Sequence, residues 1–337
     1  MPKPPFAEVL PANVLEHPAV YAWSQLGPDR LEPDGVEVLK RKPKSSVYRL
    51  TGVGPHGSSI IAKRGRAETA PVERMIYEEV LPRLPVPALD CHGFWEEPAG
   101  KFSWLFLEDA IGECYSPQDP QHRALAANWL AEIHAATGNV SSTLSAKLPD
   151  RRTRHYRATV RSCREDFRRP LAAPAALLPD NLSLLEALVA DCDALDAHWD
   201  ELEEICEPIP PALVHGDFVN KNVRFRATSA GLEFLVFDWE YAGWGVPAAD
   251  FAQFTGHTVS PDMGAYSAVA EWAGGKPEVA VLQRLAVCGK FFRLLDEIHW
   301  ISAFLDCRSQ ELVSGPLSCL KVYEGRLSEA LRAVKWI

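Results

Sequence analysis

The chain has 337 residues, a formal net charge of −10 and 47% hydrophobic residues. It is therefore long enough for two lobes or domains and far from the composition of a disordered polypeptide. The acidic balance argues against a nucleic-acid partner, because neutralising phosphates takes clustered Lys and Arg. No run of eighteen apolar residues occurs, and "MPKPPFAEVLPANVLEHPAVY" lacks the basic start, apolar stretch and cleavage site of a secretory leader. The expectation is a cytoplasmic protein with no membrane attachment. The eight cysteines are scattered without a CxxC pair or a His at ligand spacing, so reduced thiols in core gaps are expected rather than disulfides or zinc.

Residues 1–34 are Pro-rich and weakly periodic, which suggests an arm or a short helix packed on something larger. From Val36 the pattern changes to short β-branched runs, "VEVLKR", "SSVYRLTGV" and "SSIIAKRG", separated by Pro and Gly turns. "APVERMIYEEVLPRLPVP" predicts a helix with Val72, Met75, Ile76, Val80 and Leu81 on one face, stopped by Pro85 and Pro87. "KFSWLFLED" alternates Phe102, Trp104 and Phe106 with Ser103, Leu105 and Leu107, the pattern of a half-buried strand. Beyond Asp109 the chain becomes mostly helical, beginning with "HRALAANWLAEIHAAT" and ending with two long helices. The exception is 213–241, where "NVRFR" and "LEFLVFDWE" form two short strands around a Thr-Ser-Ala-Gly turn.

Charge is unevenly placed in the helical part. Arg151 to Arg169 holds eight arginines, and Asp180 to Glu207 holds ten carboxylates with no Lys or Arg. Arg154, Arg157, Arg161, Arg164 and Arg168 recur at three and four beside an apolar stripe, as do Asp193, Asp196, Asp200 and Glu203 beside theirs. Two readings follow: an antiparallel helix pair whose charged stripes face each other, or two separately solvated faces. An anion-binding role for the arginines is a third.

The stretch "LVHGDFVNKNVRF" carries more polar side chains than a turn needs. Asp217 is followed five residues later by Asn222, and the next strand delivers Asp238 and Glu240. A carboxamide and a carboxylate at the mouths of adjacent strands are hard oxygen ligands, of the kind Mg²⁺ takes alongside substrate phosphates. Asp217 stands where it can accept the proton of an incoming hydroxyl. Phosphoryl transfer also needs a cation on the nucleotide phosphates. Lys63 ends "SSIIAK", and Glu73, ten residues on, can fix its ammonium; Glu78 and Glu79 lie further along the helix.

"HGDFVNKN" followed by "VFDWEYAGWGVPAADFA" resembles the aminoglycoside phosphotransferase and choline kinase superfamily, small-molecule relatives of the eukaryotic protein kinases. The resemblance runs from about Val36 to Phe304. It implies an α+β, bilobal, protein-kinase-like fold with a small N-terminal antiparallel sheet lobe and a larger, mostly helical C-terminal lobe. The corresponding division is an arm over 1–34, a nucleotide-binding lobe over 35–108 and a helical lobe over 109–337. It implies that Asp217 is the catalytic base or hydroxyl-orienting group and that Asn222 and Asp238 hold Mg²⁺. Lys63 would contact the nucleotide phosphates, held by Glu73, and the backbone of Phe106 to Glu108 would bond the adenine edge. ATP is the expected donor, with GTP as an alternative. His215 and Asp250 are expected to brace the catalytic loop, and His134 to sit in the core. The first turn, "KRKPKSSVYRL", has no glycine, so Ser45 and Ser46, with Lys42 or Lys44, would reach the phosphates instead.

The acceptor expected from the resemblance is a small molecule with a hydroxyl group, cationic or polyhydroxyl. An aminoglycoside or amino sugar is placed ahead of a choline- or ethanolamine-type amino alcohol. Glu240, Tyr241 and Trp244, with Asp296 and Trp300 on a late helix, could supply the acids and ring faces that hold a cation. A catalytically silent, kinase-like binding protein is the rival from another class, although Lys63, Asp217, Asn222 and Asp238 are all retained. A protein kinase is disfavoured by the Gly of HGD and by the lack of an activation segment between Asp238 and Asp250.

Overall fold

The computed structural model describes residues 8–9, 14–42, 45–136, 140, 142–172, 177–272, 274–305 and 310–337. Lys44 and Cys307 lie outside them. In chain order the described residues form β1 (Glu8–Val9), α1 (Pro18–Ser24), β2 (Gly35–Lys42), β3 (Ser45–Thr51), β4 (Ile60–Arg66), α2 (Ala70–Met75), β5 (Cys91–Glu96), β6 (Phe102–Glu108) and β7 (Glu113–Cys114). These are followed by α3 (Pro120–Ala135), α4 (Ser142–Ser145), β8 (Asp150–Arg151), α5 (Thr153–Leu171), α6 (Pro179–Ala197) and α7 (Trp199–Cys206). The remainder comprises β9 (Ala212–Val214), β10 (Val223–Thr228), β11 (Gly231–Val236), β12 (Gly243–Gly245), α8 (Met263–Val269), α9 (Val279–Ser302) and α10 (Gln310–Ala333). The fold class is α+β. Among the described residues, no helix is long and apolar enough to cross a membrane.

Two compact units emerge. The first is the chain up to Tyr115 together with Lys221–Ala242, and the second is Ser116–Asn220 with Gly243–Ile337. The β10–β11 hairpin thus belongs with the N-terminal sheet and interrupts the helical region to which its place in the sequence assigned it.

In the first unit an antiparallel sheet runs in the order β1-β2-β3-β4-β6-β5. Period-two burial in β3 turns Ser46, Tyr48 and Leu50 inward. Onto that face pack Ala19, Val20, Ala22 and Trp23 of α1, against Val36, Ile60, Ala62, Trp104 and Phe106. Helix α1 starts where it does because Pro18 occupies its first position and His17 Nδ1 accepts the Ala19 N–H at 3.2 Å. The half-buried strand expected from 102–108 is instead buried on both faces from Ser103 to Leu107. The reason is its central position between β4 and β5, which alternation in the sequence does not report. The single helix expected after Ala70 likewise changes pitch: α2 passes into a wide π turn over Ile76–Val80 and a 3₁₀ turn over Leu81–Arg83. Pro82 has no N–H to give the Glu78 carbonyl, so regular α winding cannot continue through it. The wide turn still directs Ile76, Tyr77 and Val80 inward.

In the second unit α5 and α6 lie antiparallel and their charged stripes meet, as the first of the two sequence readings had it. Arg157 pairs with Asp196, Asp200 and Glu203, and Arg164 with Asp193 and Asp196. Beneath them Tyr156 stacks on Phe292 of α9 with ring centroids 4.1 Å apart. A three-stranded sheet, β8-β12-β9, anchors the loop that follows β9.

Candidate active site

In the first unit the β10–β11 register sets the polar residues. Val223 pairs with Val236, and the Phe237 N–H donates to the Asn222 carbonyl at 3.0 Å, so Asn222 and Asp238 leave the same end of the hairpin. Asp238 has φ +70°, a left-handed backbone that Asp tolerates better than most residues and that costs of order 1 kcal/mol. Both residues line a cavity of about 540 Å³ that also includes Lys63 and Glu73. Lys63 Nζ donates to Glu73 Oε2 at 2.7 Å and forms a second ion pair with Asp238 Oδ1.

One buried ammonium therefore serves several carboxylates. Burial would lower the pKa of Lys63, but the charges of Asp238, Glu73 and Glu240 hold it well above the ordinary lysine value. Glu73 is raised to about 7 by burial, Lys63 offsetting only part of the cost and Asp238 adding to it. For Asp238 burial pulls upward, yet Lys63, helped by Lys40 and Lys221, brings it down to about 2.

Some of the residues expected at the nucleotide do not line this cavity. Phe106 is fully buried, pairs with Ala62 and Gly93 inside the sheet, and does not line the cavity. The Glu108 N–H donates to the Asp90 carbonyl at 2.8 Å, and its carboxylate pairs with Arg226. Leu107 and Glu108 do line the cavity, and the lining continues through Asp109, Ala110, Ile111 and Gly112, where β6 has ended. Ser45 and Ser46 pair with Lys42 and Arg41 in the sheet, and neither lines the cavity. Lys40, Lys221 and Arg224 do line it. Their signal in the sequence was a set of charges in or beside short strands, which is indistinguishable from a solvated edge. Glu240 lies near Lys63 and Glu73 beside a small hollow with Thr69 and Ser103, and half-buried Tyr241 follows it.

In the second unit the loop after β9 is held by Asp250, whose carboxylate accepts the His215 N–H at 2.8 Å and the Gly216 N–H at 3.1 Å. His215 Nδ1 accepts the Asp217 N–H at 3.2 Å, and Gly216 has φ +75°. His215 and Asp250 are therefore the expected braces. His134 is buried, with Nδ1 3.0 Å from the Tyr266 hydroxyl. Asp217 is 2% exposed, and its Oδ1 accepts from Arg293 Nη1 at 2.6 Å. The other nitrogens of that guanidinium reach Glu297 Oε1, both at 2.9 Å, and its carbon lies 5.2 Å from the Trp300 ring centre. Burial would lower the pKa of Arg293, but Asp217 and Glu297 raise it. The sequence reading missed Arg293. A charged residue inside the apolar run "FFRLLDEI" was the available signal.

Asp296, on the same helix, accepts from Arg151 Nη1 at 3.3 Å. Its carboxyl is raised to about 6 by burial, with Arg151 and Arg293 offsetting part of the cost. His155, 3.0 Å from Arg151, is lowered to about 4 by burial and by that guanidinium, so it is neutral at pH 7. Trp244 lies in the middle of β12, half-buried, paired with Asp150 and Leu213.

The donor set in the first unit fits Mg²⁺. It comprises one carboxylate, Asp238, and one carboxamide, Asn222, both hard and both beside the cavity, with cations nearby for phosphate. Such an ion, when bound with a nucleotide, neutralises charge on the phosphates.

Comparison with known proteins agrees with this chemistry. The family model described as phosphotransferase enzyme family matches residues 44–286, and the chain belongs to that family. No curated protein matches the chain. Among solved structures, the GDP and kanamycin complex of APH(2")-IIia is 15% identical, with a TM-score of 0.61 over 90% of this chain and 97% of that one. A choline kinase from Cryptosporidium parvum Iowa II is 11% identical, with a TM-score of 0.56 over 90% and 91%. The macrolide 2'-phosphotransferase MphH from Brachybacterium faecium is 18% identical, with a TM-score of 0.55 over 89% and 97%. At such identities the likeness is one of fold, the protein-kinase-like fold.

Proposed function

We propose that this protein is a magnesium- and ATP-dependent phosphotransferase acting on a hydroxyl group of a small molecule. The observation that carries the reading is Lys63, paired with both Glu73 and Asp238 at the edge of a cavity of about 540 Å³ that Asn222 also lines. Lys63 is the cation for the nucleotide phosphates, and Glu73 fixes it. Asn222 and Asp238 hold Mg²⁺, while the backbone from Leu107 to Gly112 receives the base. Asp217 is the group offered to the acceptor. As the hydroxyl oxygen bonds to the γ-phosphorus, the bond to the β–γ bridging oxygen breaks and ADP leaves. The hydroxyl proton passes to Asp217 and then to solvent. The GDP in one structural neighbour supports a nucleotide ligand and leaves GTP as an alternative donor.

Small-molecule rather than protein transfer is supported by the short path from Asp238 to Asp250, where Gly243–Gly245 and Pro247–Asp250 already occupy ordered elements. The test is ADP formation by the full chain with Mg-ATP and a panel of hydroxyl compounds, compared with Asp217→Asn. The parent protein should turn over, and the variant should lose 10² to 10⁴-fold in kcat, the usual range for a positioned acid–base group. Binding of Mg-ATP should change by less than about twofold in the variant. An unchanged kcat in the variant would remove Asp217 from the chemistry. Tight Mg-ATP binding with no turnover of any acceptor would favour the silent binding module.

A further inference from the structure

Leu39 and Lys40 are adjacent in β2, yet both line the cavity of the first unit. Strict alternation would put them on opposite faces of the sheet. The register accounts for the exception: Val38 pairs with Tyr48 and Lys40 with Val47, which leaves Leu39 as the extra residue of a β-bulge. A bulge re-aims the side chains that follow it. Without this one, Lys40 would follow Val38 and Tyr48 to the face that packs on α1. With it, Lys40 joins a row whose other members, Val47 of β3 and Lys63 of β4, also line the cavity. Arg41, the next residue, pairs with inward-turned Ser46 and returns to the α1 face.

The two lysines of that row differ in what holds them. Lys63 is engaged by Glu73 and Asp238. Among the described residues no hydrogen bond or ion pair engages Lys40 Nζ, although its charge is felt at Asp238. Neighbouring strands lie about 4.8 Å apart, so the two side chains leave the sheet about 10 Å from each other. From that separation two lysine side chains can converge on one polyphosphate, whose charge exceeds what a single ammonium shared between two carboxylates offsets. We propose that Lys40, aimed by the bulge at Leu39, is a second phosphate-binding lysine that contacts the terminal phosphates of the nucleotide. It takes the part that the sequence alone assigned to Ser45 and Ser46. The inference rests on the nucleotide-binding reading of Lys63 and Asp238 given above.

The test is titration calorimetry of the full chain with AMP and Mg-ATP, and with GMP and Mg-GTP as the second pair. Lys40→Gln should weaken binding of the triphosphate about tenfold or more, the effect of losing one charge-assisted contact. Binding of the monophosphate should change less than about twofold, because its single phosphate does not extend to Lys40. Lys40→Arg, which keeps the charge, should recover most of the loss. Arg41→Gln removes the same charge from the opposite face of the sheet and should leave every affinity within about twofold, as expected of a screened, exposed charge. Equal losses for monophosphate and triphosphate in Lys40→Gln, or an equal loss in Arg41→Gln, overturn the contact. So does an unchanged triphosphate affinity in Lys40→Gln, which leaves the nucleotide reading of the parent protein intact. A parent protein that binds neither triphosphate overturns that reading and this inference together.

Discussion

Among the described residues, the buried ion clusters of the first and second units differ in how their charges are matched. In the first unit a single flexible ammonium, Lys63, stands among Glu73, Asp238 and Glu240 beside a cavity. In the second unit two planar guanidinium groups, Arg151 and Arg293, stand among Asp217, Asp296 and Glu297. A lysine head is a point charge that can swing from one oxygen to another, whereas an arginine fork holds fixed directions. On the proposed reading the first cluster takes the phosphates and their counter-ion, whereas the second fixes the orientation of its carboxylates. The lesson is that burial of charge alone does not tell a ligand site from a brace; the stoichiometry of the charges and an adjoining cavity do.

The largest expected effect breaks the brace. Arg293→Gln leaves Asp217 and Glu297 without their cation, and removal of one partner from a buried pair costs about 3–5 kcal/mol. Urea unfolding should show it, and kcat should fall even where the variant is folded. A loss below about 1 kcal/mol would mean the cluster is not the brace described here.

Next in size is a pH effect in the same cluster. Asp296 in the folded protein titrates at about 6, above its ordinary 3.8. The folded state therefore binds the proton more tightly than the unfolded one. This stabilisation is fully present below about pH 3.8 and is lost as pH rises through about 6. It amounts to about 3 kcal/mol by linkage. Asp296→Asn should flatten the stability profile between pH 4 and pH 6, measured as the urea midpoint against pH, and an unaltered slope there would contradict the assignment.

The cluster of the first unit is sharpened by Asp238→Asn, which keeps a residue tolerant of φ +70° but removes the charge. Affinity for Mg-ATP should fall about 10- to 100-fold, or about 1.4–2.7 kcal/mol. Affinity for ATP without Mg²⁺ should change much less. Titration calorimetry with and without the ion distinguishes the two. The smallest effect belongs to the surface, where Arg164→Ala in the α5–α6 pairing should cost about 0.5–1 kcal/mol and lose that difference in 1 M salt.

Much of the site was legible because its signals are local. The spacing of Asn222 and Asp238 reflects two adjacent strand ends, and Lys63 with Glu73 reflects a strand and the helix after it. The charged stripes of α5 and α6 were legible for the same reason, since a three-to-four period names a face. Phe106 and the two serines do not line the cavity because they are paired inside the sheet, which alternation in the sequence does not report. Arg293 was missed because its partner Asp217 lies 76 residues away in the chain.

The sequence by itself determined the class of fold and the kinds of atoms available for chemistry, since hydrophobic period and residue type act over a few neighbouring positions. Tertiary structure alone decided which carboxylates keep their charge for a ligand and which are already matched by an arginine. Coulomb energy and desolvation depend on distance and burial through space, and neither is written in the order of residues along the chain.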